Sequence, residues 1–283
     1  MMCLPLLLVV SIAVVDVVSA ACGERGSFYN DAYQGVLFEK QTDQSTGKEF
    51  WTPVCVGALL PGKHANYTDS LYISSGCIQS DPSNYVVRYG SNDPIEDMEN
   101  IRGQYIALFD RLLPEKGSHW NYGLSVAKFM PDALTSNIKT VCLPDSNDNG
   151  PEVGTACRLG VITQAGRLTT LPVTILADKE CQKMPSYEST ELGENIPYDP
   201  TFQMCGRESD MKQTFSVFRS NVGPVICDHE GRQTLYGYFL IEPPTLKDGD
   251  PFRMTRIKPH MEFVNEMRSS YLNELLASMT QKK

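Results

Sequence analysis

Arg219-Ser220-Asn221-Val222-Gly223-Pro224-Val225-Ile226-Cys227 is the stretch on which the reading of the chain turns. Its second part, Val222–Cys227, is a short β-branched run bounded by turn residues and closed by a cysteine, the pattern of a strand. The same pattern recurs at Tyr33–Phe38, Val54–Leu60, Ser70–Ser74, Tyr85–Tyr89, Tyr105–Phe109, Leu124–Phe129, Cys157–Ile162, Leu171–Leu176, Leu235–Ile241 and Phe252–Ile257. Short strands at this spacing, without an internal repeat, predict an all-β sandwich or a pair of barrels. Only the tail departs from it. Phe263, Val264, Met267, Tyr271, Leu272, Leu275 and Met279 recur at three- and four-residue steps after Pro259, which predicts an amphipathic helix over about 260–280 docked on the β body. The acidic neighbours Glu262, Glu266 and Glu274 argue against a helix lying on a membrane.

Composition narrows the function classes. The 283 residues are 41% hydrophobic and 21% charged, which excludes a disordered, collagenous or coiled-coil chain. A net charge of -9, with no basic block, excludes the electrostatic footprint of nucleic-acid and heparin binders. Leu4 to Val18 is apolar and ends in Val18-Ser19-Ala20 before Ala21-Cys22, so residues 1–20 read as a secretory signal cut after Ala20. The alternative is an uncleaved anchor, since no Lys or Arg precedes the run and Asp16 interrupts it. No later stretch has the roughly 20 apolar residues of a spanning helix, so no membrane span is expected after cleavage. Residues 21–283 then form a single domain, secreted and extracellular. Of nine cysteines, removal of the signal deletes Cys3 and leaves an even number, which in an oxidising compartment means disulfides. Eight cysteines allow 105 pairings, and arithmetic alone chooses none of them. Short paired Cys and His spacings are absent, so neither a metal nor a cofactor is expected. The acidic run Ser91 to Asn100 reads as a solvated face rather than a calcium site, because it lacks spaced ligands. Asn66-Tyr67-Thr68 is a glycosylation sequon, expected on an exposed loop.

Several segments together resemble the trypsin/chymotrypsin family of serine proteases over essentially all of 21–283. Tyr72-Ile73-Ser74-Ser75-Gly76-Cys77 is similar to the family's L-T-A-A-H-C, and Asn121-Tyr122-Gly123-Leu124 to D-I-A-L. Ile138-Lys139-Thr140-Val141-Cys142-Leu143-Pro144 is similar to I-x-P-V-C-L-P, and the opening stretch at 219–227 resembles G-D-S-G-G-P-L-V-C. Leu235 to Glu242 stands at L-x-G-I-V-S-W-G, and Thr255-Arg256-Ile257 at the late T-R-V strand. Each fragment is weak alone; their order, spacing and cysteine content carry the resemblance. It implies two six-stranded antiparallel β-barrels with a C-terminal helix. It also implies the bridges Cys22–Cys142, Cys55–Cys77, Cys157–Cys227 and Cys181–Cys205, and it lacks the family's further bridge, whose first partner would stand at Val217.

The same resemblance puts Gly76, Asn121 and Asn221 at the base, the orienting carboxylate and the nucleophile. Acyl transfer needs a hydroxyl, an imidazole to take its proton and a buried carboxylate behind the imidazole, and none of the three residue types present supplies its role. Arg219 and Ser220 replace the oxyanion-hole glycine and the aspartate that pairs with a freshly cut N-terminus, and Gly26-Ser27-Phe28-Tyr29 follows Arg25 where I-V-G-G would stand. Phe215, Glu242 and Phe252 occupy positions of the specificity pocket, which their bulk is expected to fill. His64, His119, His229 and His260 have plain readings as surface or structural residues. The turn-rich stretch from Lys183 to Gln203 reads as an exposed loop, either a recognition surface or a neutral insertion. The expected function is a non-catalytic, regulatory binder of an extracellular protease or another secreted protein, in a cascade such as an immune or clotting-like one. The alternatives are a serine endopeptidase with displaced catalytic residues, and a ligand-binding glycoprotein on the same scaffold.

Overall fold

The computed structural model describes residues 22–23, 32–62, 66–90, 103–106, 108–112, 123–135, 138–163, 168–184, 187–188, 195–208, 218–220, 223–239 and 250–268. Two antiparallel sheets carry the chain. The first comprises β1 (Gln34–Thr42), β2 (Glu49–Pro61), β3 (Tyr67–Ser74), β4 (Tyr85–Tyr89), β5 (Gln104–Tyr105), β6 (Leu108–Leu112) and β7 (Leu124–Ala133), in the order β5-β4-β1-β2-β3-β7-β6. β5 pairs with β4 and β6 with β7 at the two edges of this sheet, which forms a half-barrel.

The second sheet holds β8 (Ala156–Thr163), β9 (Leu168–Ile175), β12 (Gln203–Glu208), β13 (Phe218–Ser220), β14 (Gly223–His229), β15 (Arg232–Phe239) and β16 (Phe252–Arg256). Its order is β13-β8-β14-β15-β16-β12-β9, and the further pairing of β8 with β9 closes six strands into a barrel with β13 appended. A hairpin of β10 (Tyr187–Glu188) and β11 (Asn195–Ile196) stands apart. This is the trypsin-like architecture. A helix over 261–268 follows β16, and it docks as its apolar stripe predicts: Val264 and Met267 are buried among first-barrel residues such as Leu59 and Leu71. The rest of the expected helix lies outside the described residues.

Each apolar run read from the sequence coincides with a strand or overlaps one. β12 was not legible, because Gln203-Met204-Cys205-Gly206-Arg207-Glu208 has no apolar alternation and is held instead by ladders to β16 and β9. The cores follow from inward-facing alternation. Tyr236, Phe239, Phe252, Met254 and Leu171 fill the second barrel. The first-barrel core extends across the seam to Ile226, Leu235 and Tyr238.

All four bridges pair as the resemblance implies, with Cα separations of 4.8 Å for Cys22–Cys142, 5.9 Å for Cys55–Cys77, 4.2 Å for Cys157–Cys227 and 5.8 Å for Cys181–Cys205. The first pins the N-terminal strap beside β15. There Gly23 donates to the Thr140 carbonyl at 2.7 Å and accepts from the Gln233 amide at 3.0 Å. Its φ of 67°, and an added Cβ that would stand 2.7 Å from Gln233 backbone, require glycine.

Candidate functional site

The two barrels meet where β2 packs on β8 and β14, and β3 on β14. Within the second barrel, β14 comes very close to β8 at Gly223, whose Cβ would lie 1.8 Å from the Gly160 carbonyl oxygen. Backbone thus meets backbone two residues after Asn221, and this fixes where β14 begins. Across the seam Tyr72 and Tyr238 pack edge to face at 5.9 Å, and the Tyr238 hydroxyl donates to the Val56 carbonyl. Burial raises both phenols well above their usual range, so they are held protonated and cannot act as bases at neutral pH.

Gly76 lies on a 3-10 turn, Ser75–Cys77, directly after β3. Three ties hold the turn: the Cys55–Cys77 bridge, the Ser75 amide donating to the Gly123 carbonyl at 2.9 Å, and the Gly76 amide donating to Ser74 Oγ at 3.3 Å. The second tie brings the turn beside Gly123, just before β7. Among the described residues, a Cβ added at Gly76 would meet only Ser74 Oγ, at 3.7 Å, and the residue is exposed. The scaffold therefore presents this position with room for a side chain, and supplies no imidazole there.

Asn121, Asn221, Phe215 and Glu242 lie outside the described residues. Arg219 and Ser220 are placed by backbone alone: β13 pairs with β8 through Phe218↔Thr163 and Ser220↔Ile162, with an irregularity at Arg219 between them. Phe252 is fully buried in the second-barrel core, 4.7 Å from Phe239 in a T-shaped pair. Asn66 is exposed at the turn before β3.

The described histidines sit in the second barrel and its exit, not at Gly76. His229 packs against the edge of Tyr236 at 6.0 Å and ends β14, about 20 Å along an extended strand from where that strand begins. His260 stacks on Phe202 at 5.9 Å, and burial pushes its imidazole down to about 4. His64 and His119 lie outside the described residues. Among the described residues, no group of three or more His, Cys, Asp or Glu could hold a metal ion, and no helix is long and apolar enough to cross a membrane.

Two features carried no sequence signal. Lys128, buried on β7, reaches Asp69 on β3 with Nζ 3.3 Å from Oδ1. Burial lowers its pKa and Asp69 opposes the shift, while Arg268 from the terminal helix lies close enough to act on both groups. The second is a cavity beside Tyr236 on the second barrel, away from the seam. The stretch from Lys183 to Gln203 is not wholly a loop. Tyr198 donates to Asp178 Oδ1 at 2.6 Å, Gln203 opens β12, and only its middle part carries the small hairpin.

No family model matches the chain. Over 142 residues it is 28% identical to the urokinase-type plasminogen activator of Gallus gallus, covering 47% of this chain and 30% of that protein. The chain thus spans less than a third of the curated relative it matches. In three dimensions it is similar to the scabies mite inactivated protease paralogue S-I1, with a TM-score of 0.58 and 14% identity, over 83% of this chain and 93% of that one.

Proposed function

We propose that the chain is a catalytically inactive homologue of the trypsin-like serine proteases, and that it acts by binding, as a regulatory partner of a protease or other secreted protein in an extracellular cascade. The observation that carries this reading is Gly76. The turn that should present a general base is kept in place by a bridge and two hydrogen bonds, yet bears no side chain. A hydroxyl without its base is a weak nucleophile, and the aligned nucleophile position holds Asn221. The protein it resembles in three dimensions is, by its name, an inactivated protease paralogue, which supports the same reading. The sequence relative is by its name an activator of plasminogen, which supports a place among proteases.

Four disulfides support export to an oxidising compartment, with residues 1–20 as the signal and Asn66 as the glycosylation site. A rigid bridged scaffold beneath exposed loops is what a binder needs. The β10–β11 hairpin lies within the Lys183–Gln203 stretch, ahead of the Tyr198–Asp178 hydrogen bond and of β12. The test is crosslinking of the secreted protein in its native fluid, followed by surface plasmon resonance against the protease recovered. Binding that weakens when 185–196 is replaced by a short Gly-Ser linker supports the proposal. Binding that depends on Asn221 alone moves the recognition surface to the barrel seam, and recovery of glycans without protein opposes the proposal.

A further inference from the structure

The cavity on the second barrel has a volume of about 510 Å³ and lies between the segment joining the barrels, the 200–201 turn and the exit of β16. Among the described residues its lining includes Pro144, Pro151, Pro200 and Pro259, together with Arg256 and Lys258, and no acidic residue. Two cations thus line the cavity, while the nearest carboxylates, Asp148 and Asp178, stand behind the lining residues rather than in it. Pockets that bind small molecules combine apolar walls with a few placed polar groups, and prolines provide such walls without side-chain entropy to lose.

The cations are held in place from behind. Arg256 Nε donates to the Gln203 carbonyl at 2.7 Å, and Nη2 lies 3.5 Å from Asp178 Oδ1. The Nη1 edge lies beside Gly150, a cavity residue, where an added Cβ would stand 3.3 Å from that nitrogen. Gly150 has a φ of 87°, so the turn that needs glycine for its backbone also leaves the guanidinium edge uncovered. Lys258 Nζ donates to the Asp148 carbonyl. Asp148 itself is turned away from the role of counter-ion: its Oδ2 accepts from the Tyr236 hydroxyl at 2.6 Å and its Oδ1 from the Gly150 amide at 2.7 Å. Groups fixed by such outer contacts bind with less ordering cost.

We propose that this cavity binds a carboxylate carried on an apolar body, the carboxylate meeting Arg256 and Lys258 and the body lying against the prolines. The chemistry suits a free aryl or alkyl acid and also the C-terminal carboxylate of a partner peptide with an apolar last residue. The site does not depend on whether the barrel seam is inactive.

Ligand-observed NMR on the full chain, with phenylacetate and hexanoate against their primary amides, tests it. N-acetyl-Pro-Phe with a free or an amidated C-terminus forms the second arm. The acids should bind at least about tenfold more tightly than the amides, and less tightly as salt is raised. Lys258→Gln should weaken the acids about tenfold, and Thr201→Trp, at an exposed lining position, should abolish binding with the melting temperature kept. Tighter binding of the peptide acid than of phenylacetate identifies a chain end as the source, and the reverse identifies a free acid. Equal binding of acids and amides, no binding of any probe, or binding that survives Thr201→Trp would each overturn the proposal.

Discussion

Gly76→His asks whether the turn lost its side chain for want of space. Among the described residues an added Cβ meets nothing nearer than Ser74 Oγ at 3.7 Å, an ordinary contact, and the backbone there is not left-handed. At Gly223 the same addition falls 1.8 Å from the Gly160 carbonyl oxygen, and neither backbone can yield without separating β14 from β8. With no steric cost, Gly76→His acts chiefly by restricting the unfolded chain, a stabilisation of about 0.4–1 kcal/mol. In a domain of this size that is a rise in Tm of up to about 4 °C. Gly223→Ala should cost about 1–3 kcal/mol or more, and lower Tm by several degrees. Thermal unfolding followed by circular dichroism at neutral pH compares the two directly. If Gly76→His lowered Tm as much as Gly223→Ala, the position would be sterically closed and its geometry misread. The restored imidazole alone should give no turnover on ester substrates, because Asn221 carries no hydroxyl for it to activate.

Two further outcomes follow from the packing. His260 is held neutral in the folded protein down to about 4, whereas the unfolded imidazole titrates near 6.5, so the unfolded chain takes up the proton first and stability falls as pH drops from about 6.5 to about 4. The gap caps this loss at about 3 kcal/mol, and denaturant titrations across that window should show a shallower fall for His260→Gln than for the parent; equal slopes would contradict it. Replacing Cys181 and Cys205 together by Ala opens a bridge spanning 24 residues and should cost about 3 kcal/mol, read as a lower urea midpoint, whereas an unchanged midpoint would mean the hydrogen bonds at Tyr198 and Gln203 hold that region without it.

Where the sequence alternates and is bounded by turns, it was sufficient to place the strands: Tyr85–Tyr89 coincides with β4, and Phe252–Ile257 with β16 apart from its last residue. β12 escaped because its residues pair through the backbone, and the ladders on both sides decide its conformation rather than its own pattern. The bridges were legible only through motif positions, since every pairing of eight cysteines is equally consistent with an even count. At the site, motif order located Gly76 on its turn but carried no information on the room around it. The Lys128–Asp69 pair and the cavity at Arg256 and Lys258 were invisible for a different reason. They join residues distant in sequence, each of which reads alone as an ordinary charged position.

On the proposed reading, the folded, fully bridged chain lacks a functioning acyl-transfer site. Incubation of the purified protein with a fluorophosphonate probe, followed by intact mass spectrometry and by assay on a broad panel of peptide and ester substrates, is the direct test. No covalent adduct on any serine and no turnover above buffer are expected, with the Asn221→Ser variant equally silent. A stoichiometric serine adduct on the unmodified chain, accompanied by substrate hydrolysis that the probe abolishes, would contradict it.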